Sequence, residues 1–253
     1  MAVIHETTLT PTKLELLADW LPGQPWYTGT QASPRLDKAG GFRIDDPEGE
    51  VGIEFMVATD RSGAAEVAYL VPLSYRGAPL DGAEQGLIGT TEHGVLGRRW
   101  VYDGAHDPVL VGQLLALLQG RAEAQAQNAS DTRDESVIAH PGATAGGLGV
   151  LSSAVRPPRV VSGPHGTEIH VETGVAEDAA GQSAGGRPAR TVAVTLHLAR
   201  VLAPVTAGDG ASSEPVGDRE CLATLTAGWQ AADGAECRGR FVTLLGPGHT
   251  SDG

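Results

Sequence analysis

The chain has 253 residues, enough for one large domain or two small ones. Hydrophobic residues make up 41%, adequate for a buried core, while 35 Gly and 16 Pro predict abundant turns. The formal net charge is -13 and no basic run exceeds Arg98-Arg99, so a phosphate backbone or an anionic membrane would be repelled, and neither is expected as a partner.

The opening "MAVIHETTLTPTKLELLADW" lacks the basic start and apolar run of a secretory signal. Residues 2–9 alternate weakly and read as a strand. Thr10 before Pro11 reads as a helix N-cap followed by Pro at the first helical position. In "PTKLELLADWL", Leu14, Leu17, Ala18 and Leu21 share a helical face, and Pro22-Gly23 stops the helix. Next, "GGFRIDD" (40–46), "GEVGIEFMVATD" (49–60) and "AEVAYLVPLSYRG" (65–77) read as strands of an antiparallel meander with turns at "DDPEGE" and "DRSGA". "GLIGTTEHGVLGRRWVYDG" reads as two short strands around positions 94–97. Asp107 before Pro108 repeats the cap device, and "PVLVGQLLALLQ" (108–119) sets Val111, Leu114, Leu115 and Leu118 at helical spacing. Gly120 suits the residue after the helix end, with "RAEAQAQ" as an alternative extension of the helix. Residues 1–126 therefore read as an α+β unit, an antiparallel sheet with two helices and local connections.

Residues 127–147 are mostly small and polar and read as a linker. Beyond them, "RVVSGPHGTEIHVETGV", "ARTVAVTLHLARVLAPV" and "CLATLTAGWQAADGAECRGRFVTLL" are β-patterned, so 148–246 reads as a second, small antiparallel all-β domain and 247–253 as a disordered tail. The last run reads as a hairpin turning near Asp233-Gly234. That turn sets Cys237 opposite about residue 230 and leaves Cys221 many rungs away, so the two cysteines are expected as free thiols in a reducing, cytoplasmic setting. No run approaches the roughly 20 apolar residues of a membrane span.

The densest chemistry lies in "IGTTEHGVLGRRWVYDGAHDPV" (88–109). A catalytic reading would pair His93 with Asp103 or Asp107, or with Glu92. No nucleophile elbow accompanies it. A metal reading would use Asp103, His106 and Asp107, but Asp107 is better explained as the cap before Pro108. The favoured reading buries Val95, Leu96, Trp100, Val101 and Tyr102 and lets the polar residues hold turns. A partner or ligand surface would use His93, Arg98, Arg99, Trp100, Tyr102 and Asp103, because Arg and aromatic residues carry much interface energy. "GPHGTEIHVETG" (163–174) lacks the spacing of a phosphate-binding loop. No stretch specifies the carboxylate pair of a glycoside hydrolase. No metal or cofactor is expected.

Four stretches, "HETTLTPTKLELLADWLPGQPWY", "GFRIDDPEGEVGIEF", "VPLSYRGAPL" and "LIGTTEHGVLGRRWVYDGAHDPV", resemble the N-terminal cap domain of actinobacterial maltokinases over about residues 1–125. The resemblance implies a curved, cystatin-like antiparallel sheet with helices. It also links the chain to stand-alone cap-like proteins, some labelled 1,4-alpha-glucan branching proteins. In the kinases the phosphoryl-transfer residues lie in later subdomains. Here the 18 basic residues are all arginine except Lys13 and Lys38, so no later lysine is available to contact nucleotide phosphates. No catalytic-loop His-x-Asp pattern follows either. The resemblance thus implies a non-catalytic accessory or docking protein of trehalose, maltose or α-glucan metabolism, with a protein partner or a sugar ligand. The alternatives are a sugar kinase component needing a partner chain, a glucan branching enzyme, or a carbohydrate-binding module stacking sugar on Trp229 or Trp100.

Overall fold

The computed structural model describes residues 9–29, 33–127, 132–142, 150–154, 157–176, 190–204 and 219–247. Antiparallel sheet dominates it. Two short helices, α1 (Lys13–Trp20) and α2 (Pro108–Leu118), interrupt the strands. In the first half the strands are β1 (Leu9–Thr10), β2 (Leu36–Ile44), β3 (Gly52–Asp60), β4 (Val67–Arg76), β5 (Leu87–His93), β6 (Gly97–Asp103) and β7 (Ala124–Ala126). There follow β8 (Ile138–Pro141), β9 (Val150–Ala154), β10 (Arg159–Gly163), β11 (Gly166–Ala176), β12 (Arg190–Leu198), β13 (Cys221–Gln230) and β14 (Glu236–Leu245). Most of the 2–9 segment and positions 248–253 of the expected tail lie outside the described residues.

Several local expectations need correction. The N-cap of α1 is Thr12, not Thr10: Thr10 belongs to β1, opposite Glu92 of β5. Thr12 and Glu15 form a reciprocal capping box, with the Thr12 amide donating to Glu15 Oε2 at 2.7 Å and the Glu15 amide to Thr12 Oγ1 at 3.3 Å. That box satisfies two orphan amides at once, which a Thr-Pro pair does not. Val95 and Leu96 are not core residues; they sit at the tip of the β5–β6 hairpin, 62% and 46% exposed. After Gly120 (φ 68°) the chain does not prolong α2 but forms β7 against β2. Within the stretch read as a linker, Ile138–Pro141 pairs with β13 as β8. Asp107 caps α2, accepting from the Val109 amide at 2.9 Å.

The strands follow the order β1-β5-β6-β4-β3-β2-β13-β14-β12-β11-β10, with β7, β8 and β9 added to β2, β13 and β11. The pairing then closes on itself. Beyond β12, Val201 bridges to Tyr69 of β4, the Leu70 amide donates to the Arg200 carbonyl at 2.9 Å, and the Leu202 amide to the Ala68 carbonyl at 2.8 Å. A ring β4-β3-β2-β13-β14-β12 results, its two sequence halves meeting at β2–β13 and where residues 200–202, just past β12, pair with β4. Among the described residues one pair, Gly40 opposite Trp229, makes the β2–β13 register.

The pleat divides the core in two. Ile53, Phe55 and Val57 of β3 face a large cluster with α2, Phe42, Trp229 and Phe241, drawn from both halves of the sequence. Their neighbours Met56 and Ala58 face a smaller cluster with Leu17 and Leu21 from the α1 region, Trp26, Tyr69 and Val101. α2 is buried nearly all round, with Leu110, Val111, Leu114, Leu115, Leu117 and Leu118 in the core, as its continuous apolar run requires.

Candidate functional site

A charged residue in the middle of the buried run of β3 marks a polar cluster. Glu54 shares the face of Met56 and Ala58, yet its side chain is only 5% exposed. The Lys13 ammonium, at the start of α1, makes an ion pair with it. The Tyr75 hydroxyl donates to Glu54 Oε2 at 2.7 Å and the Gln127 amide to Oε1 at 3.0 Å. Burial by itself raises the Glu54 carboxyl, but Lys13, the Tyr75 hydroxyl and nearby Lys38 outweigh it and hold the group below the usual carboxylate range. Burial and the adjacent Glu54 charge push the Tyr75 phenol well above its ordinary value. Partial burial lowers the Lys38 ammonium, aided by repulsion from Lys13 and Arg43 and opposed by Glu54. Glu54 is thus a fixed anion, suited to positioning neighbours rather than to donating a proton.

Lys38 and Gln127 lead from this cluster into a cleft of about 670 Å³ at the β2–β13 seam. Gly40 and Gly41 line it with φ of 153° and 124°, and a Cβ on Gly41 would collide with the Phe55 carbonyl oxygen. Asp134 and Ser136 line the cleft from the segment before β8, and Glu236, Cys237 and Arg238 from β14. Arg238 donates to Thr226 Oγ1 at 3.3 Å, while the Lys38 ammonium makes no hydrogen bond or ion pair among the described residues. The Trp229 ring turns inward, 6% exposed, with its centroid 6.1 Å from that of Phe241; it offers no open face on which to stack a sugar.

The six residues singled out in the β5–β6 hairpin do not converge. Alternation along β6 places Arg98, Trp100 and Tyr102 on one face and Arg99 and Asp103 on the other. His93 Nδ1 accepts from the Leu96 amide at 3.0 Å and so holds the turn. Arg98 pairs with Glu92 at 2.8 Å in the open, and Arg99 donates to the Leu96 carbonyl. Trp100 is half-buried. The Tyr102 hydroxyl is buried and accepts from the Leu80 amide at 2.8 Å. Asp103 forms a buried ion pair with Arg200 at 2.6 Å, and the Arg200 guanidinium lies 5.1 Å from the Trp26 ring centroid. Asp107, beyond capping α2, takes two 2.7 Å hydrogen bonds from Arg76.

Sequence reading missed the Glu54 cluster, although two signals pointed there. One is a glutamate inside the apolar run "GIEFMVA"; the other is the scarcity of lysine, the chain's two, Lys13 and Lys38, both lying near Glu54 in the fold. Among the described residues no group of three or more His, Cys, Asp and Glu is placed to hold a metal. Both cysteines are free, with Cys237 opposite Trp229. No helix among the described residues is long and apolar enough to cross a membrane. Residues 20–107, from the end of α1 to the cap of α2, match the family model of the maltokinase N-terminal cap domain. No curated protein matches the chain.

Proposed function

We propose that this chain is a non-catalytic accessory or docking protein of trehalose, maltose or α-glucan metabolism, working in the cytoplasm. The match of residues 20–107 to the maltokinase N-terminal cap domain carries the reading. The matched segment spends its most distinctive polar side chains internally: Tyr102, Asp103 and Asp107 hold the fold together. What it leaves outward is the β5–β6 hairpin, with exposed Arg98 and half-buried Arg99 and Trp100 behind the exposed Val95–Leu96 tip. An exposed apolar pair flanked by arginines suits a protein partner better than chemistry. The sheet and the two helices of residues 1–126 form the cap-like, cystatin-like unit in this reading, and 148–246 form a second, small β unit joined to it.

The test has two arms. Purified maltokinase, trehalose synthase and maltosyltransferase are presented to the immobilised chain, and one of them is expected to bind with an affinity that a Val95→Asp, Leu96→Asp variant loses. Separately, the chain alone is incubated with ATP and maltose, and with amylose. Phosphate transfer or branching by the chain alone overturns the reading in favour of an enzyme.

A further inference from the structure

Charged, amide and hydroxyl side chains line the β2–β13 cleft, among them Lys38, Gln127, Asp134, Ser136, Glu236 and Arg238. Two are cations and two are carboxylates, so the lining is balanced in sign. A polyanion such as a nucleotide would meet two carboxylates, and a polycation two basic groups. With the Trp229 ring turned into the core, a flat aromatic ligand finds no stacking surface. A hydroxyl, by contrast, donates and accepts at once, and so suits a wall where ammonium, amide, hydroxyl and carboxylate alternate. The volume falls within the ~300–1,000 Å³ range of small-molecule sites.

The cleft is also built rather than incidental. The ring of strands is joined here by the single Gly40–Trp229 pair among the described residues, so the sheet splays open. Gly41 lets this wall lie close against the Phe55 carbonyl oxygen and the Gln127 amide, where a Cβ would collide with both. The buried Glu54 anchors Gln127 from behind, fixing one lining amide before any ligand arrives. We propose that this cleft binds a short neutral saccharide, its hydroxyls held by Lys38, Gln127, Asp134 and Glu236. The saccharide class rests on the lining; its narrowing to an α-linked glucan rests on the function proposed above.

The full chain, labelled for amide NMR, is titrated with maltotriose, trehalose and cellobiose, and with Mg-ATP as the anionic comparison. Saturable shifts are expected at the amides of Gly40, Gly41 and Gly228 with at least one saccharide and not with Mg-ATP. Lys38→Met removes a charged hydrogen-bond donor from the cleft wall and should weaken binding about tenfold. Ser136→Trp fills the cleft and should abolish it. An unchanged spectrum elsewhere shows that each variant is folded. Binding of cellobiose but not of maltotriose or trehalose leaves the cleft standing and counts against the α-glucan reading. No saturable shift with any saccharide at millimolar concentration, shifts away from the cleft, or binding indifferent to both variants overturns the proposal. Preferential binding of Mg-ATP does so too.

Discussion

Asp103 and Arg200 stand 97 residues apart in sequence and meet in a buried pair that also engages Thr167 and the Trp26 ring. Removing one partner leaves the other charge buried and uncompensated. Asp103→Ala should therefore cost about 3–5 kcal/mol, read as a lowered urea midpoint, and Arg200→Met in the same chain should recover part of the loss. A cost below about 1 kcal/mol would mean that solvent reaches the pair. Tyr27 gives a second residue-level prediction. Burial, followed by its hydrogen bond to Asp60 and the Asp60 charge, pushes its phenol up to about 12. The raised value means the folded state keeps the proton longer than the unfolded chain does. Its stabilisation is full below the ordinary tyrosine value of about 10 and is lost as pH rises from there through about 12. Tyrosinate absorbance should show late titration from both Tyr27 and Tyr75, and Tyr27→Phe should remove only the part that titrates near 12. What was legible at this scale was local: Asp107 next to Pro108 declares a cap. The roles of Tyr102 and Asp103 were not legible, because their partners Leu80 and Arg200 are set by tertiary packing.

At the scale of elements, both helices and the strands β2 to β6 were legible from periodicity and turn residues. So was the β13–β14 hairpin, where Gly234 takes a φ of 84° and the Ala235 amide bonds to Asp233 Oδ1. Boundaries failed where two local signals competed. The "TPT" at the start of α1 offered two threonines, and the T-x-x-E box won over Thr-Pro. The consequence is measurable: Thr12→Ala should cost about 1 kcal/mol of stability, whereas Thr10→Ala, at an exposed position, should stay within about 0.5. Equal effects would show that the box is not made. The hairpin tip failed for another reason. Val95 and Leu96 look like core by composition, and nothing local shows that they lie beyond the last rung of β5 and β6. Short strands such as β7 and β8 have no pattern of their own, since pairing with β2 and β13 creates them.

For the whole molecule the decisive contacts are those that no local window contains: Gly40 with Trp229, Val201 with Tyr69, and Phe42 with Phe241. Through them the first and second halves of the sequence share one ring of strands and one core around α2. Phe42 stacks on Phe55 with centroids 4.6 Å apart and reaches Phe241 at 6.2 Å, so the aromatic centre of the core belongs to both halves. A chain built this way should unfold in a single cooperative step, with calorimetric and van't Hoff enthalpies in agreement. Residues 1–126 expressed alone would expose the apolar faces of β2, β3 and α2 that Trp229, Phe241 and Leu244 cover in the full chain. That fragment should bind a hydrophobic dye and lack a sharp thermal transition, and adding residues 132–253 in trans should restore one. Two separated transitions in the full chain, or a fragment that melts as cooperatively as the whole, would show that the shared core does not couple the halves. The same experiment bears on the cleft. Its walls come from β2 on one side and β13–β14 on the other, so a ligand held there should raise the melting temperature of the intact chain in proportion to its occupancy. It should leave the 1–126 fragment unaffected.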